Sequence, residues 1–150
     1  MDNNLFHLTS ESIEPEKILG NLKNAHAGAL VTFEGWVRNH HEGRGVLRLE
    51  YEAYPVLAEQ IANQLVKEIH EKYPITAAQF VHRTGALAVG EIAVWVWVTA
   101  VHRQEAFLAC HDLIDQIKLR MPIWKKEFYR DGTSSWVNCQ HEGSARHVHT

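Results

Sequence analysis

The chain has 150 residues, of which 45% are hydrophobic and 22% are charged, and its formal net charge is -3. These values fit one soluble domain that is large enough to bury a hydrophobic core. The slight acidity argues against a nucleic-acid-binding protein, which needs a broad basic face. No apolar stretch reaches the ~20 residues that span a bilayer, and the polar N-terminus lacks a signal-peptide pattern. We therefore expect a cytoplasmic protein that binds neither membrane nor nucleic acid.

Apolar periodicity and turn residues predict alternating helices and strands. A proline in the first turn favours a helix start, and apolar–polar alternation is typical of a strand with one wet face. The elements predicted in the first half are a helix from Pro15 to about Asn24, a strand at 29–37, a mobile loop at 40–45, a strand at 46–54 and a helix from Pro55 to before Pro74. The residues predicted to share the apolar face of the strand at 46–54 are Leu47, Leu49, Tyr51 and Ala53.

The second half predicts strands at 77–83 and 91–101, a helix at 104–118, and a hairpin at Asp131-Gly132 that returns through Trp136. The strand at 91–101 is apolar on both faces, which is typical of a central strand. An Asp-Gly pair between apolar segments is a strong hairpin signal. The order of elements predicts a single α+β domain over residues 1–150. We expect a mostly antiparallel sheet with helices packed on one side, and a mobile tail at 140–150.

Neither the cysteines nor the histidines form a recognisable site. Cys110 shares a helical face with Leu113 and Ile117, which predicts a core position, whereas Cys139 lies near a polar tail. The absence of a CxxC pair fits a reducing compartment, and a catalytic cysteine is the alternative interpretation. The chain has 11 histidines but no HExxH or other paired helical motif. We therefore predict no metal and no cofactor.

A basic cluster around Pro122 is the strongest candidate site. Pro122 lacks an N–H and disfavours helical geometry in the residue before it, so the preceding helix must end there. Lys118 lies in the last turns of that helix, and Lys125 follows the break. The chain can then fold back into an anion pocket with Trp124 as one wall. The alternative is that these cations only interact with the negative end of the helix dipole.

Arginine and histidine side chains stand at two other strand ends. Arg38 closes the strand at 29–37, and His102 and Arg103 close the strand at 91–101 just before a helix. Guanidinium groups suit phosphate or carboxylate, and histidine can transfer protons near neutral pH. An arginine at a helix N-terminus is at the unfavourable end of the helix dipole. A bound anion would explain its position.

Five separated motifs in this chain resemble one known family. They are VTFEGWVRNH at 31–40, LEYEAYP at 49–55, HRTG at 82–85, AVHR at 100–103 and KLRMPIWKKE at 118–127. Their order and spacing resemble the large, catalytic subunit of molybdopterin synthase, the MoaE family, in register from about Ala29 to Val137. The first ~28 residues and the tail have no clear counterpart in this resemblance.

The resemblance implies an α/β hammerhead fold and a sulfur transfer in molybdenum cofactor biosynthesis. In this family, two sulfurs are added to cyclic pyranopterin monophosphate as a dithiolene. The sulfur comes from the thiocarboxylated Gly-Gly tail of a small ubiquitin-like subunit of the MoaD type. Two large subunits form a central homodimer with one small subunit at each end, giving a heterotetramer. No metal is implied for this step.

The resemblance also implies roles for particular residues. Lys118 and Lys125 are the catalytic pair: Lys118 meets the thiocarboxylate or an acyl intermediate, and Lys125 assists pterin ring opening or proton transfer. The residues implied to bind substrate are Trp36, Val37 and Arg38 in the cleft, His102 and Arg103 from the other protomer, and Lys126 and Glu127 in the wall.

One departure and two alternative functions accompany the resemblance. Family members often carry an arginine shortly after the tryptophan matching Trp136, whereas this chain has 138–140 as Asn-Cys-Gln. If that arginine helps to hold the phosphate, its role in this chain is vacant or is filled by Arg130 or a tail residue. The alternatives are a non-enzymatic module that binds an anionic metabolite, and an adaptor that docks a ubiquitin-like tail without chemistry. The adaptor accounts poorly for paired lysines on both sides of a helix break.

Overall fold

The computed structural model describes residues 7–137, which form strands and helices in an α+β arrangement. The elements are β1 Leu8–Thr9, α1 Pro15–Leu19, β2 Ala29–Trp36, β3 His40–His41, β4 Arg44–Ala53, α2 Pro55–Lys72, β5 Ile75–Arg83, β6 Gly85–Ala88, β7 Ile92–Ala100, α3 Arg103–Arg120, β8 Ile123–Tyr129 and β9 Ser134–Val137. In this range, no helix is both long and apolar enough to cross a membrane. The tail at 140–150, predicted to be mobile, lies outside the described residues.

The first sheet has the strand order β1-β5-β7-β2. β1 runs parallel to β5, and the other neighbours are antiparallel. The apolar strand β7 lies between β5 and β2, which confirms the prediction of a central strand. Helices α2 and α3 pack on this sheet and on each other. The core between them includes Leu65 from α2, Val96 and Val98 from β7, and Leu113 from α3, all fully buried.

The second sheet is built around the long strand β4. β3 and β6 pair along one edge of β4, β8 pairs along the other edge, and β9 pairs with β8. Every pairing in this sheet is antiparallel. A smaller core of Val37, Leu49, Leu87 and Ala93 lies between elements of the two sheets. The α+β class with mostly antiparallel strands is confirmed, although the strands form two sheets where the sequence predicted one.

The segment 40–45 forms a hairpin, so the prediction of a loop without strands was wrong. Glu42 and Gly43 both have positive φ, at 49° and 80°, between the paired strands β3 and β4. Positive φ at both central residues is the geometry of the two-residue turns that match strand twist. The hairpin also buries His41, which is only 6% exposed. This burial depends on contacts with β8 that local sequence does not reveal.

A β-bulge changes the predicted face of β4. Val46 pairs with Tyr129 and Arg48 with Phe128, so Leu47 is an extra residue relative to β8. One extra residue reverses the side-chain alternation. Val46 is consequently buried, whereas Leu47 is 55% exposed. The prediction that Leu47 shares the buried face with Leu49 was therefore wrong.

Helix bounds differ modestly from the predictions. Helix α1 ends at Leu19, earlier than Asn24, and α3 runs from Arg103 to Arg120, slightly longer than predicted. Cys110 lies on the buried face of α3, and burial raises the pKa of its thiol to about 11. A protonated thiol in the core does not favour the alternative of a catalytic cysteine.

Candidate active site

A cavity of about 440 Å³ opens where the two sheets meet the C-terminal end of α3. Apolar side chains from β2, β7 and α3 form much of its wall. The polar side chains that line it are Trp36, Arg38, Tyr51, His82, Lys118 and Lys125. Its volume falls in the usual range of ~300–1,000 Å³ for small-molecule sites. The structure thus brings four of the nine predicted site residues into one pocket.

Lys118 and Lys125 reach the same cavity because the chain reverses between α3 and β8. The Met121 N–H donates to the Ile117 carbonyl at 3.1 Å and closes the helix. Met121 itself is extended, with φ -72° and ψ 132°. Pro122 cannot continue the helix, and β8 begins at the next residue. The predicted helix break is confirmed, and its consequence is that two cations seven positions apart line the same pocket.

Lys125 has a buried acidic neighbour. Its Nζ lies 3.6 Å from Oε2 of Glu127, and the two side chains are only 13% and 4% exposed. Alternation along β8 directs Lys125, Glu127 and Tyr129 to the same face. The Tyr129 hydroxyl donates to Glu127 Oε1 at 3.0 Å, and His41 Nδ1 lies 3.2 Å from Oε2. Glu127 does not line the cavity; it lies behind Lys125 and fixes the direction of the ammonium group.

Lys126 and Trp124 lie on the opposite face of β8. Lys126 Nζ is 5.3 Å from the ring centroid of Phe128 and 5.6 Å from that of Trp136. Trp124 packs edge-on against Tyr54 at 5.1 Å between centroids and lines a separate cleft. The prediction that Trp124 forms a wall of the cation pocket was therefore wrong, because strand alternation turns it away. The same alternation turns Lys126 away from the pocket.

His82 also lines the cavity, although the sequence analysis gave it no role. Its ring is buried, contacts Tyr51 edge-on at 4.7 Å between centroids, and has Nδ1 2.7 Å from the Arg83 carbonyl oxygen. Burial, assisted by the positive charge of Lys125, lowers the pKa of His82 to about 4. The ring is therefore neutral at neutral pH. The sequence signal for it was its place in the HRTG motif at the end of β5, to which the sequence analysis assigned no role.

The three residues after Gly35 separate into two environments. Trp36 and Arg38 line the cavity, and the Trp36 indole N–H donates to Glu34 Oε1 at 2.8 Å. Val37 is only 4% exposed and packs in the smaller core with Leu49. Its side chain does not line the cavity. Val37 contributes to the site by anchoring the backbone between Trp36 and Arg38.

His102 and Arg103 are exposed at the start of α3, the opposite end of that helix from Lys118. At 1.5 Å per residue, Arg103 and Lys118 are separated by roughly 22 Å along the helix axis. One protomer therefore cannot bring both residues to the same small anion.

The cavity is suited to anions. Arg38, Lys118 and Lys125 line it, whereas none of its lining residues among 7–137 is a carboxylate. Within the same range, no group of three or more His, Cys, Asp or Glu residues comes together in a metal-binding cluster. Arg130 is exposed, packs near Gly45 and does not line the cavity. Residues 138–140 and the tail, the other places considered for a missing arginine, lie outside the described residues.

Comparison with known proteins agrees with this architecture. The family model described as MoaE protein matches residues 8–120. The chain belongs to the MoaE family. Two relatives, both named molybdopterin synthase catalytic subunit, match most of its length. The one from Thermoplasma volcanium is 40% identical over 136 residues, covering 91% of this chain and 99% of that protein. The one from Bacillus subtilis is 41% identical over 140 residues, covering 93% and 88%.

Solved structures share the MoaE fold. The molybdopterin synthase structure from Staphylococcus aureus matches with a TM-score of 0.82 and 40% identity, covering 88% of this chain and 96% of that one. A complex of subunits 1 and 2 of molybdopterin-converting factor from Helicobacter pylori matches with a TM-score of 0.71 at 16% identity, covering 87% and 88%. The second likeness shows the fold alone. Membership of the MoaE family gives the chain an enzymatic role in molybdopterin biosynthesis.

Proposed function

We propose that this chain is the sulfur-transferring subunit of a molybdopterin synthase. It transfers sulfur from the C-terminal thiocarboxylate of a small ubiquitin-like subunit to cyclic pyranopterin monophosphate and forms the dithiolene of molybdopterin. The observation that carries the proposal is the convergence of Lys118, Lys125 and Arg38 on one cavity with no carboxylate among its described lining residues.

The charges of the two substrates explain why this convergence matters. One substrate carries a cyclic phosphate and the other carries a thiocarboxylate. Because both groups are negatively charged, they repel each other when the two substrates come together. At an effective dielectric constant of ~20, two opposite unit charges 4 Å apart gain roughly 4 kcal/mol. A cation that the fold orients in advance, as Glu127 orients Lys125, offsets part of the repulsion without reorganising during the reaction.

The two lysines have different surroundings, which suits different roles. Lys118 is exposed near the end of α3, where an incoming tail can reach it, and meets the thiocarboxylate or the acyl group. Lys125 is largely enclosed and held beside Glu127, and assists pterin ring opening or proton transfer. Trp36 and Arg38 contact the pterin substrate, while Val37, Lys126 and Glu127 support the site from outside the cavity.

His102 and Arg103 act in the pocket of a second protomer. The distance along α3 excludes them from their own cavity, and closed two-fold symmetry would let each subunit lend the same element to its partner. The resulting assembly is a homodimer with one small subunit at each end. The complex from Helicobacter pylori, described as subunits 1 and 2 of molybdopterin-converting factor, supports a two-component assembly.

Reconstitution tests the proposal directly. The chain is mixed with a thiocarboxylated MoaD-type partner and cyclic pyranopterin monophosphate, and both products are followed by mass spectrometry. We expect two partner molecules each to exchange their C-terminal sulfur for oxygen while one pterin gains two sulfurs. Release of the pterin unchanged, with the thiocarboxylate intact, would contradict the proposal and favour a binding module.

A further inference from the structure

The cavity contains many hydrogen-bond donors and few proton acceptors. Arginine and lysine are protonated and only donate, and the tryptophan indole N–H also only donates. Of the polar residues that line the cavity within 7–137, this leaves the Tyr51 hydroxyl and the His82 imidazole. A tyrosine hydroxyl is a poor base because it binds a second proton only in strong acid. Among these side chains of the described cavity wall, His82 is therefore the one whose neutral form offers a nitrogen lone pair near neutral pH.

The tautomer of His82 follows from its backbone contact. A carbonyl oxygen can only accept, so the 2.7 Å contact with the Arg83 carbonyl requires a proton on Nδ1 of His82. In a neutral ring the other nitrogen, Nε2, then carries the free lone pair. Among the described residues, no side chain donates a hydrogen bond to Nε2. The fold thus fixes an unprotonated nitrogen on a residue that lines a cationic pocket.

The proposed sulfur transfer needs such an acceptor. When the thiocarboxylate sulfur bonds to a pterin carbon, a C–O bond of that carbon breaks and its electron pair goes to the oxygen. The acyl carbon and the pterin carbon are then joined through sulfur as a thioester. Releasing the sulfur breaks the acyl C–S bond, and the electron pair leaves with sulfur as a thiolate. A water oxygen bonds to the acyl carbon and yields a carboxylate. The two water protons must be accepted, one during attack and one as the carboxylate forms.

We propose that Nε2 of His82 accepts the proton of the water that attacks the acyl carbon. This inference rests on the proposed function and assigns its hydrolytic half-reaction to a residue outside the lysine pair. The resulting imidazolium can return the proton to solvent or to the departing thiolate. Lys118 and Lys125 stabilise the negative charge that develops on the acyl oxygen and on sulfur.

The charges around His82 couple its basicity to substrate binding. The charged groups that share its cavity are Lys125 from β8, Lys118 from α3 and Arg38 after β2. The other elements around the ring contribute the Tyr51 hydroxyl from β4, the apolar Val94 from β7, and the backbone carbonyl of His7 before β1. In the empty site, burial and the charge of Lys125 keep the pKa of His82 low. Bound anions offset the neighbouring cations and move that pKa upward toward the working pH. The base thus becomes effective when substrate is present.

The first test uses His82→Asn, in which the side-chain amide can still donate to the Arg83 carbonyl but cannot reach the position of Nε2. His70→Asn, on the exposed surface of α2, is the matched control. Thiocarboxylated partner and pterin are added to each variant, and intact mass is followed over time. We expect His82→Asn to form the covalent partner–pterin thioester and to hydrolyse it ~10²-fold or more slowly. The thioester should accumulate only in this variant.

The possible outcomes separate the two proposals. Product formation by His82→Asn at the wild-type rate, or a slow reaction without thioester in a folded variant, would overturn the role of His82. Absence of product from the wild-type protein would instead overturn the proposed function.

A second measurement needs no variant: ¹⁵N NMR of wild-type histidines should show Nδ1 protonated and Nε2 unprotonated for His82 at neutral pH. The opposite tautomer would overturn the inference even if His82→Asn failed to fold.

Discussion

The Lys125 ammonium lies 3.6 Å from the carboxylate of Glu127, and both side chains are nearly enclosed. The two residues are two positions apart on β8, so strand alternation aligns them on one face. Tyr129, two positions further on, donates to the same carboxylate at 3.0 Å. A buried carboxylate is costly unless it is paired and hydrogen-bonded, and this one has both kinds of partner. The arrangement fixes Lys125 before any substrate arrives.

Replacing Glu127 by glutamine should lower turnover while leaving the fold intact. Glutamine keeps the shape and an oxygen for the Tyr129 hydroxyl, but it removes the charge that orients Lys125. We expect kcat to fall ~10- to 100-fold with little change in the thermal midpoint. Glu52→Gln, an exposed change on the facing strand, is the control. Wild-type kcat for Glu127→Gln would mean that Lys125 does not depend on this contact.

Lys125→Ala and Lys126→Ala should differ strongly in their rates of dithiolene formation, although the two residues are adjacent in sequence. Lys125 lines the cavity, whereas Lys126 lies over the rings of Phe128 and Trp136 on the other face. We expect Lys125→Ala to reduce dithiolene formation ~10²-fold or more and Lys126→Ala less than ~10-fold. Single-turnover kinetics with thiocarboxylated partner measures both, with Lys67→Ala on α2 as the control. Equal losses would show that strand alternation does not separate the two roles.

Mixing two inactive variants should restore activity if the site crosses a dimer interface. A Lys118→Ala subunit and an Arg103→Ala subunit together form one intact site in each heterodimer, and random exchange gives about half heterodimers. Mixing Lys118→Ala with Lys125→Ala should not restore activity, because both residues belong to one cavity. Mass spectrometry verifies subunit exchange. No recovery in the first mixture would assign His102 and Arg103 a role outside the partner's site.

The tail of the small subunit should be coupled energetically to Lys118. Lys118→Glu would face the tail with a like charge, so it should weaken the intact partner more than a partner lacking its two terminal glycines. Truncation alone should weaken binding only modestly, because the globular interface supplies most of the affinity, and it should abolish sulfur transfer. Calorimetry on the four combinations gives the coupling energy. A coupling of zero within error would mean that the tail does not reach Lys118.

His82 should make the protein less stable in acid. The unfolded chain protonates this residue below pH 6.5, while the folded protein keeps it neutral until about pH 4. Neutral His82 therefore contributes its full stabilisation above pH 6.5. As the pH falls from 6.5 to about 4, the free energy of unfolding decreases by roughly 3 kcal/mol. Urea unfolding across the window should give a shallower pH slope for His82→Asn than for wild type. His70→Asn should keep the wild-type slope, and identical slopes for all three would contradict the assignment.

Much of the fold and part of the site could be predicted from local sequence. Continuous apolar character identified β7 as central, because only a strand covered on both faces tolerates it. Pro122 determined where α3 ends, because a residue without an N–H cannot continue the helix. This break alone predicted that Lys118 and Lys125 lie on either side of a chain reversal. The motif resemblance extended this prediction to the family, which the match over residues 8–120 confirms.

Tertiary structure decided which neighbours face the cavity. The bulge at Leu47 arises from pairing of β4 with the distant strand β8, so no local pattern revealed it. Alternation along β8 separates Lys125 from Lys126, but which face borders the cavity depends on how the second sheet packs against the first. The packing of the two sheets also decides that His82 lines the cavity. Its neutrality and tautomer come from burial and from a carbonyl contact, which are properties of the folded surroundings and not of the residue itself.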